Sequence, residues 1–149
     1  MSSKNEKLFG TYIDRNYRLI RLSFLQAFKK ANIDLTTEQW VLIDLLNDEN
    51  GLSQNELALR SFKDAPTVSR IIDLLCKKGY TKRQRAIDDK RRHNIFLTEK
   101  GIIIYNKILP TVHQLRQKGW GGLSDEDYDV FLKIMDQIFQ NFEETPTKS

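Results

Sequence analysis

This 149-residue sequence holds little that can crosslink a chain or bind a metal. Its one cysteine, Cys76, has no partner for an internal disulfide, and two histidines cannot build a His/Cys cage. His93 and His113 lie far apart without carboxylates or thiols at ligand spacing, so no metal and no cofactor is expected. No apolar run approaches the ~20 residues that a membrane span needs. The opening Met-Ser-Ser-Lys-Asn-Glu-Lys lacks the hydrophobic core of a signal peptide, and the expectation is a cytoplasmic protein. There is no glycine-rich phosphate loop, no nucleophile–base pair and no paired carboxylates in one segment, which argues against an enzyme. Only three prolines interrupt the chain, leaving room for long helices. What remains, at 40% hydrophobic and 30% charged residues, is the composition of one soluble domain spanning 1–149.

Charge is unevenly placed. The net charge is only +4, yet residues 31–59 carry six acids and no Lys or Arg. Residues 60–100 carry twelve bases against five acids, and residues 121–149 carry seven acids against two lysines. A basic middle between acidic flanks points to one working surface with an anionic partner, against the bland reading of solvated helix faces.

The pattern along the chain is mainly helical. Leu8, Tyr12, Leu19, Phe24, Ala27 and Ala31 recur at three- and four-residue steps, predicting a long helix over about 5–31. Thr36 with Gln39, and Ser53 with Glu56, are capping boxes that open two short helices, the first burying Trp40, Ile43, Leu45 and Leu46. Asp64 is the N-cap of a third, with Pro66 in its first turn; it runs to Lys78 and stops at Gly79, its inward stripe being Val68, Ile71, Ile72 and Leu75. Residues 80–85 and 93–97 read as two strands around the polar tip 86–92. Thr98 starts another long helix, which Pro110 is expected to kink or end halfway. Gly119-Trp120-Gly121-Gly122 is a flexible break, and Ser124 opens a last helix with the stripe Tyr128, Phe131, Ile134, Ile138 and Phe142. Residues 144–149 read as a disordered tail.

Two short helices joined by a tight turn, then a two-stranded ribbon with a basic tip, make a winged helix-turn-helix. The fold class is therefore mainly α with a small β-wing, the lobe of about 35–101 flanked by long terminal helices. A helix fits the DNA major groove and reads bases with its N-terminal side chains, here Pro66, Thr67, Ser69 and Arg70. Arg70 suits a guanine edge and equally a phosphate. Lys90, Arg91 and Arg92 stand at the tip, where a guanidinium can enter a narrow minor groove. Arg83 reads as a partner of Asp73 inside the lobe rather than a contact. Lys77 and Lys78 read as solvated charge at a helix C-terminus.

Leu52–Ala58, Pro66–Leu75, Lys77–Tyr80, Asp89-Lys90-Arg91 and Leu97–Gly101, in that order and spacing, resemble the MarR (multiple antibiotic resistance regulator) family. The resemblance implies a homodimer held by residues of about 5–31 and 102–143, with two lobes on a palindromic DNA operator. It implies transcriptional repression, relieved by a small phenolic or anionic effector or by thiol oxidation. By position, Arg91 would enter the minor groove, Asp89 would orient it through an ion pair, and Gln54 would touch the phosphate backbone. Ala86 departs from the family, where Asp is common at the start of the wing. Tyr12, Arg15, Tyr17 and Trp40 fall where the family's effector cavity lies, although at helical spacing they read equally as core or dimer interface. Cys76 lies beside Lys77 and Lys78 but has no resolving partner in the chain, which argues against a thiol switch. The rival to a DNA-binding regulator is a winged module that docks its basic tip on an acidic protein.

Overall fold

A computed structural model of the chain describes residues 7–143. The local signals in the sequence are largely realised in six helices and one antiparallel pair of strands among the described residues. They are α1 (Phe9–Lys30), α2 (Thr37–Asp48), α3 (Gln54–Ser61), α4 (Ala65–Lys77), β1 (Thr81–Arg85), β2 (His93–Leu97), α5 (Glu99–Gly119) and α6 (Asp125–Glu143). The expected tail at 144–149 lies outside the described residues. Two compact units divide between Leu115 and Arg116. No helix among the described residues is long and apolar enough to cross a membrane.

In the first unit, helix starts follow from side-chain chemistry. Thr36 and Gln39 form the reciprocal capping box at α2, each side chain bonding the other's backbone N–H at 3.1 Å. Ser53 caps α3 by accepting from the Glu56 backbone N–H, but the return bond runs from the Ser53 hydroxyl to the Glu56 carboxylate. The core gathers Phe28, Trp40, Ile43, Leu46, Leu57, Val68, Ile72, Leu75, Ile95 and Ile108 around α4. Leu42, absent from the expected stripe of α2, is fully buried, whereas the expected Leu45 is only partly so.

The ribbon pairs Thr81 with Leu97 and Arg85 with His93. A feature without an alternation signal joins it: Gly51 N–H donates to Ile95 O, and Ile95 N–H donates to Leu52 O, at 2.9 and 2.8 Å. Residues 51–53 thereby extend the sheet. Gly51 has φ +87°, and a Cβ there would stand 2.8 Å from the Phe96 ring, so this edge requires glycine.

Recognition-helix candidate α4 ends in a Schellman motif, with Gly79 N–H on Cys76 O and Tyr80 N–H on Leu75 O. The carbonyls of Lys78, Gly79 and Tyr80 are satisfied by Thr98 and Lys100 at the start of α5. Lys100 Nζ donates to Lys78 O at 2.8 Å, the Thr98 hydroxyl donates to Gly79 O, and Thr98 N–H donates to Tyr80 O at 3.0 Å. Lys78 itself is not the solvated cation expected: its Nζ donates to Asp34 O at 2.8 Å and Gln39 Oε1 at 3.1 Å, tethering α4 to the start of α2. Its partners lie 44 and 39 residues away in the chain, beyond the reach of local pattern.

Pro110 neither ends α5 nor divides it, since the helix is continuous from Glu99 to Gly119. Proline removes one hydrogen bond, but Ile108 and Val112 on either side are fully buried and hold the helix in place. In the second unit, Trp120 staples the break: its indole N–H donates to Ser124 O at 3.1 Å, and its ring meets Tyr128 edge-on. Ser124 and Asp127 exchange capping bonds of 3.1 and 2.9 Å at the start of α6.

At Gly101 two effects oppose. Alanine is favoured over glycine inside a helix by about 1 kcal/mol. A Cβ at this position, however, would lie 2.1 Å from the Tyr80 carbonyl oxygen, which is backbone and cannot step aside. The clash should win: Gly101→Ala is expected to lose ~1–3 kcal/mol in urea unfolding, the usual cost of overpacking. An unchanged or raised midpoint would show that the joint between α4 and α5 is loose.

Candidate nucleic-acid interface

The exposed end of α4 is built on Asp64. Its carboxylate accepts from the backbone N–H and the hydroxyl of Thr67, both at 2.8 Å. The backbone N–H bond first, and the hydroxyl second, hold the Asp64 carboxyl below its ordinary pKa, with Arg70 adding a smaller electrostatic pull. Thr67 thus spends its hydroxyl proton on the cap and keeps lone pairs and a methyl to offer; Arg70 Nη2 donates to that oxygen at 3.4 Å. Pro66 and Arg70 are exposed, and Thr67 and Ser69 half-buried, so the four expected groove readers stand on the first two turns of one helix.

Arg83 on β1 holds this helix against its neighbours. It pairs with Asp73 at 2.6 Å, donates to Ser69 O at 3.4 Å, and donates through Nε to Gln54 Oε1 at 3.0 Å. The Asp73 pairing was legible; the bond to Gln54 was not. It matters because the Gln54 amide, with its oxygen occupied, has its NH₂ donors left for an anion.

The wing closes with Ala86 N–H on Arg92 O at 2.9 Å, and Ala86 is buried at its base. The tip therefore forms without the aspartate common at that position. Asp89 orients Arg91 chiefly through the backbone, its Oδ1 accepting from Arg91 N–H at 3.0 Å. The ion pair to Arg91 Nε is looser at 3.9 Å, and the Arg91 side chain is 97% exposed. Lys90 is exposed, whereas Arg92 is held by both carboxylate oxygens of Asp88 at 2.9 and 3.1 Å. Across a groove of about 200 Å³, Arg91, Arg92 and His93 face Ser53, Gln54 and Asn55 at the start of α3. His93 and Asn55 were not singled out as binding residues; their only signal is adjacency to the wing and to the capped helix start.

The residues placed near an effector cavity are distributed differently. Arg15 lies over the Tyr12 ring at 4.9 Å, and Tyr12 and Tyr17 are more than half exposed on α1. Trp40 is buried and stacked on Tyr105 at 5.3 Å between ring centres. Cys76 is half-buried with its sulfur 3.3 Å from the Thr81 hydroxyl. No cluster of metal-ligating side chains occurs among the described residues.

A capped, exposed helix end beside a two-stranded ribbon with an exposed arginine at its tip defines the winged helix-turn-helix class. A sequence profile described as MarR family matches residues 33–92. The transcriptional regulator SarZ of Staphylococcus haemolyticus is 32% identical over 138 residues, covering 85% of this chain and 88% of SarZ. The transcriptional repressor YetL of Bacillus subtilis is 30% identical, covering 74% and 67%. TtmR of Methylorubrum extorquens is 30% identical over 78% of this chain, which spans only 58% of TtmR. The fold of the Staphylococcus aureus MepR–DNA complex matches with TM-score 0.81 at 23% identity, covering 91% of this chain and 99% of MepR. That of Bordetella bronchiseptica BpsR, whose DNA binding is regulated by 6-hydroxynicotinic acid, matches with TM-score 0.76 at 22% identity, covering 89% and 98%. The chain belongs to the MarR family of winged-helix transcriptional regulators.

Because the Asp64 carboxyl is lowered in the folded state, its cap contributes stability above the ordinary carboxylate range and loses it as pH falls through the lowered value. Asp64→Asn is therefore expected to unfold at lower urea than wild type at pH 7, with the gap narrowing as pH falls below the ordinary carboxylate range. A gap independent of pH would mean that the charge contributes nothing to the cap.

Proposed function

We propose that the protein is a homodimeric repressor that binds a palindromic operator as part of a cytoplasmic regulatory circuit. Each lobe of about 35–101 places α4 in a major groove through Pro66, Thr67, Ser69 and Arg70. Lys90, Arg91 and Arg92 enter or flank the adjacent minor groove, and Gln54 contacts a backbone phosphate. The observation that carries this reading is that one lobe presents both the capped end of α4 and an exposed Arg91 whose backbone N–H is held by Asp89. The start of the helix and the backbone of the wing tip are then both ordered by carboxylates of this chain.

A dimer is supported by apolar surface that would otherwise face water. Leu8, Tyr12, Leu19 and Ile20 on the first half of the N-terminal segment are exposed. So are Tyr128, Phe131, Ile134, Phe139 and Phe142 on α6, a helix with no buried residue. Such faces mark interfaces, and a second copy of the chain is the occupant proposed. Twofold symmetry then makes the operator a palindrome. Repression accords with the description of YetL as a repressor. A small phenolic or anionic effector, by analogy with the 6-hydroxynicotinic acid named for BpsR, would meet Tyr12, Arg15, Tyr17 and Trp40.

The test is binding to a duplex from the protein's own upstream region against a scrambled duplex, across a salt series. A specific regulator should prefer its site by ~10³-fold or more near physiological salt, with a steep log–log salt slope. Equal binding to both would favour a wing that docks on an acidic protein. Arg91→Ala should cost ~1–3 kcal/mol of operator affinity and leave the dimer intact in sedimentation; unchanged affinity would remove the wing from the mechanism.

A further inference from the structure

Asn50 is followed by Gly51, and no other asparagine of the sequence precedes a glycine. In such a pair the side-chain amide is unusually easy to lose. Glycine has no Cβ to keep its nitrogen away from the preceding side chain, and its backbone turns freely. The structure sets the pair in the turn between α2 and α3, with Asn50 exposed and Gly51 half-buried. Burial therefore does not protect the Asn50 amide from water.

Hydrogen bonds to the wing do. Both groups that would react are tied to β2, two residues apart on the strand. The Asn50 side-chain oxygen accepts from Leu97 N–H at 2.9 Å, and Gly51 N–H donates to Ile95 O at 2.9 Å. The Phe96 ring, between those two residues, closes one side of Gly51, lying 2.8 Å from where a Cβ would stand. Ile95 N–H donates to Leu52 O at 2.8 Å, and Leu52 is buried in the core. Bringing the Gly51 nitrogen onto the Asn50 side chain thus requires opening this edge and pulling on a core residue.

We propose that Asn50 is a site of spontaneous deamidation held in check by the pairing of residues 50–52 with β2, and that its isoaspartyl product unfastens that pairing. The Gly51 nitrogen attacks Asn50 Cγ; the new C–N bond closes a five-membered succinimide. The Cγ–Nδ2 bond breaks, and ammonia leaves with the proton that Gly51 gives up. Water then opens the ring at either carbonyl, yielding aspartate or isoaspartate, with no change of oxidation state. In isoaspartate the main chain runs through Cβ and Cγ, one methylene longer between residues 50 and 51. The remaining carboxylate sits directly on Cα, one carbon short of the reach to Leu97 N–H. The added length also displaces Gly51 from Ile95, and behind it Ser53, which caps α3 and bridges to Asn94. One amide thereby ties the end of α2 to the start of α3 and the returning strand of the wing. Nothing in this chemistry depends on DNA binding.

The experiment incubates the full chain at neutral pH, folded and unfolded in guanidinium chloride. Peptide mapping by mass spectrometry follows the conversion of Asn50 and separates aspartyl from isoaspartyl products. Conversion should concentrate at Asn50 in the unfolded chain and be at least about tenfold slower in the folded one, as expected of a reaction that waits on local opening. That suppression should equal the protection of the Gly51 amide against hydrogen exchange to within about threefold, because both report the same opening. No preferred conversion of Asn50 in the unfolded chain overturns the site. Equal rates in the two states, or a suppression that departs from the Gly51 protection in either direction, overturns the lock. The isoaspartyl form, isolated by ion exchange and refolded, should exchange its Ile95 and Leu97 amides faster than the unconverted chain. Protection unchanged at both amides overturns the unfastening.

Discussion

The Tyr80 carbonyl is the point on which the lobe turns. It accepts from Thr98 N–H and lies so close to Gly101 that no side chain fits between them. Around it, the carbonyls that α4 leaves unsatisfied at its end find donors in the first turn of α5. Lys100 adds its ammonium over the Tyr80 ring at 5.1 Å. A helix terminus ordinarily leaves such carbonyls to water. Here the end of one helix caps itself on the beginning of another, so α4, both strands and α5 meet in a single joint. Displacing α5 at this end breaks several hydrogen bonds at once or carries α4 with it.

Arg83 performs the corresponding task at the other side of the lobe. Its guanidinium spans α4 through Asp73 and Ser69 and reaches α3 through Gln54. A planar fork with five donors can serve three acceptors from two helices; a lysine at the same place would supply charge without that geometry. Asp64 then orders the first turn of α4 locally, and Asp89 orders the tip of the wing. Four polar devices hold the surface that carries the proposed DNA contacts.

The parts legible in the sequence were those whose chemistry is complete within a few residues. Thr36 with Gln39, Asp64 ahead of Pro66, and Gly79 after Lys78 each satisfy their own helix end, and each stands where it was expected. The apolar stripe of α4 was equally plain because its spacing alone selects one buried face. The illegible parts depend on distant chain. Lys78 meets Asp34 and Gln39, and the edge at Leu52 pairs through backbone atoms that carry no residue signature. Pro110 weighed against a continuous helix until the buried neighbours Ile108 and Val112 were in place. At the candidate interface, residue types marked Arg91 and Arg92 alike, yet only the fold shows that Asp88 grips the latter at 2.9 Å while Asp89 meets the former only at 3.9 Å.

That grip has a meaning for discrimination among anions. Asp88 and Asp89 are tethered carboxylates, and they present themselves to the wing arginines at an effective concentration of order millimolar. Each is a resident mimic of the phosphate oxygens that the arginines would otherwise seek. A solitary metabolite anion at lower concentration competes poorly with such an occupant. A polymer that offers several phosphates in register replaces all of them in one event. If the wing arginines bind phosphate as proposed, the wing carries its own competitor in the same two acids that give it shape.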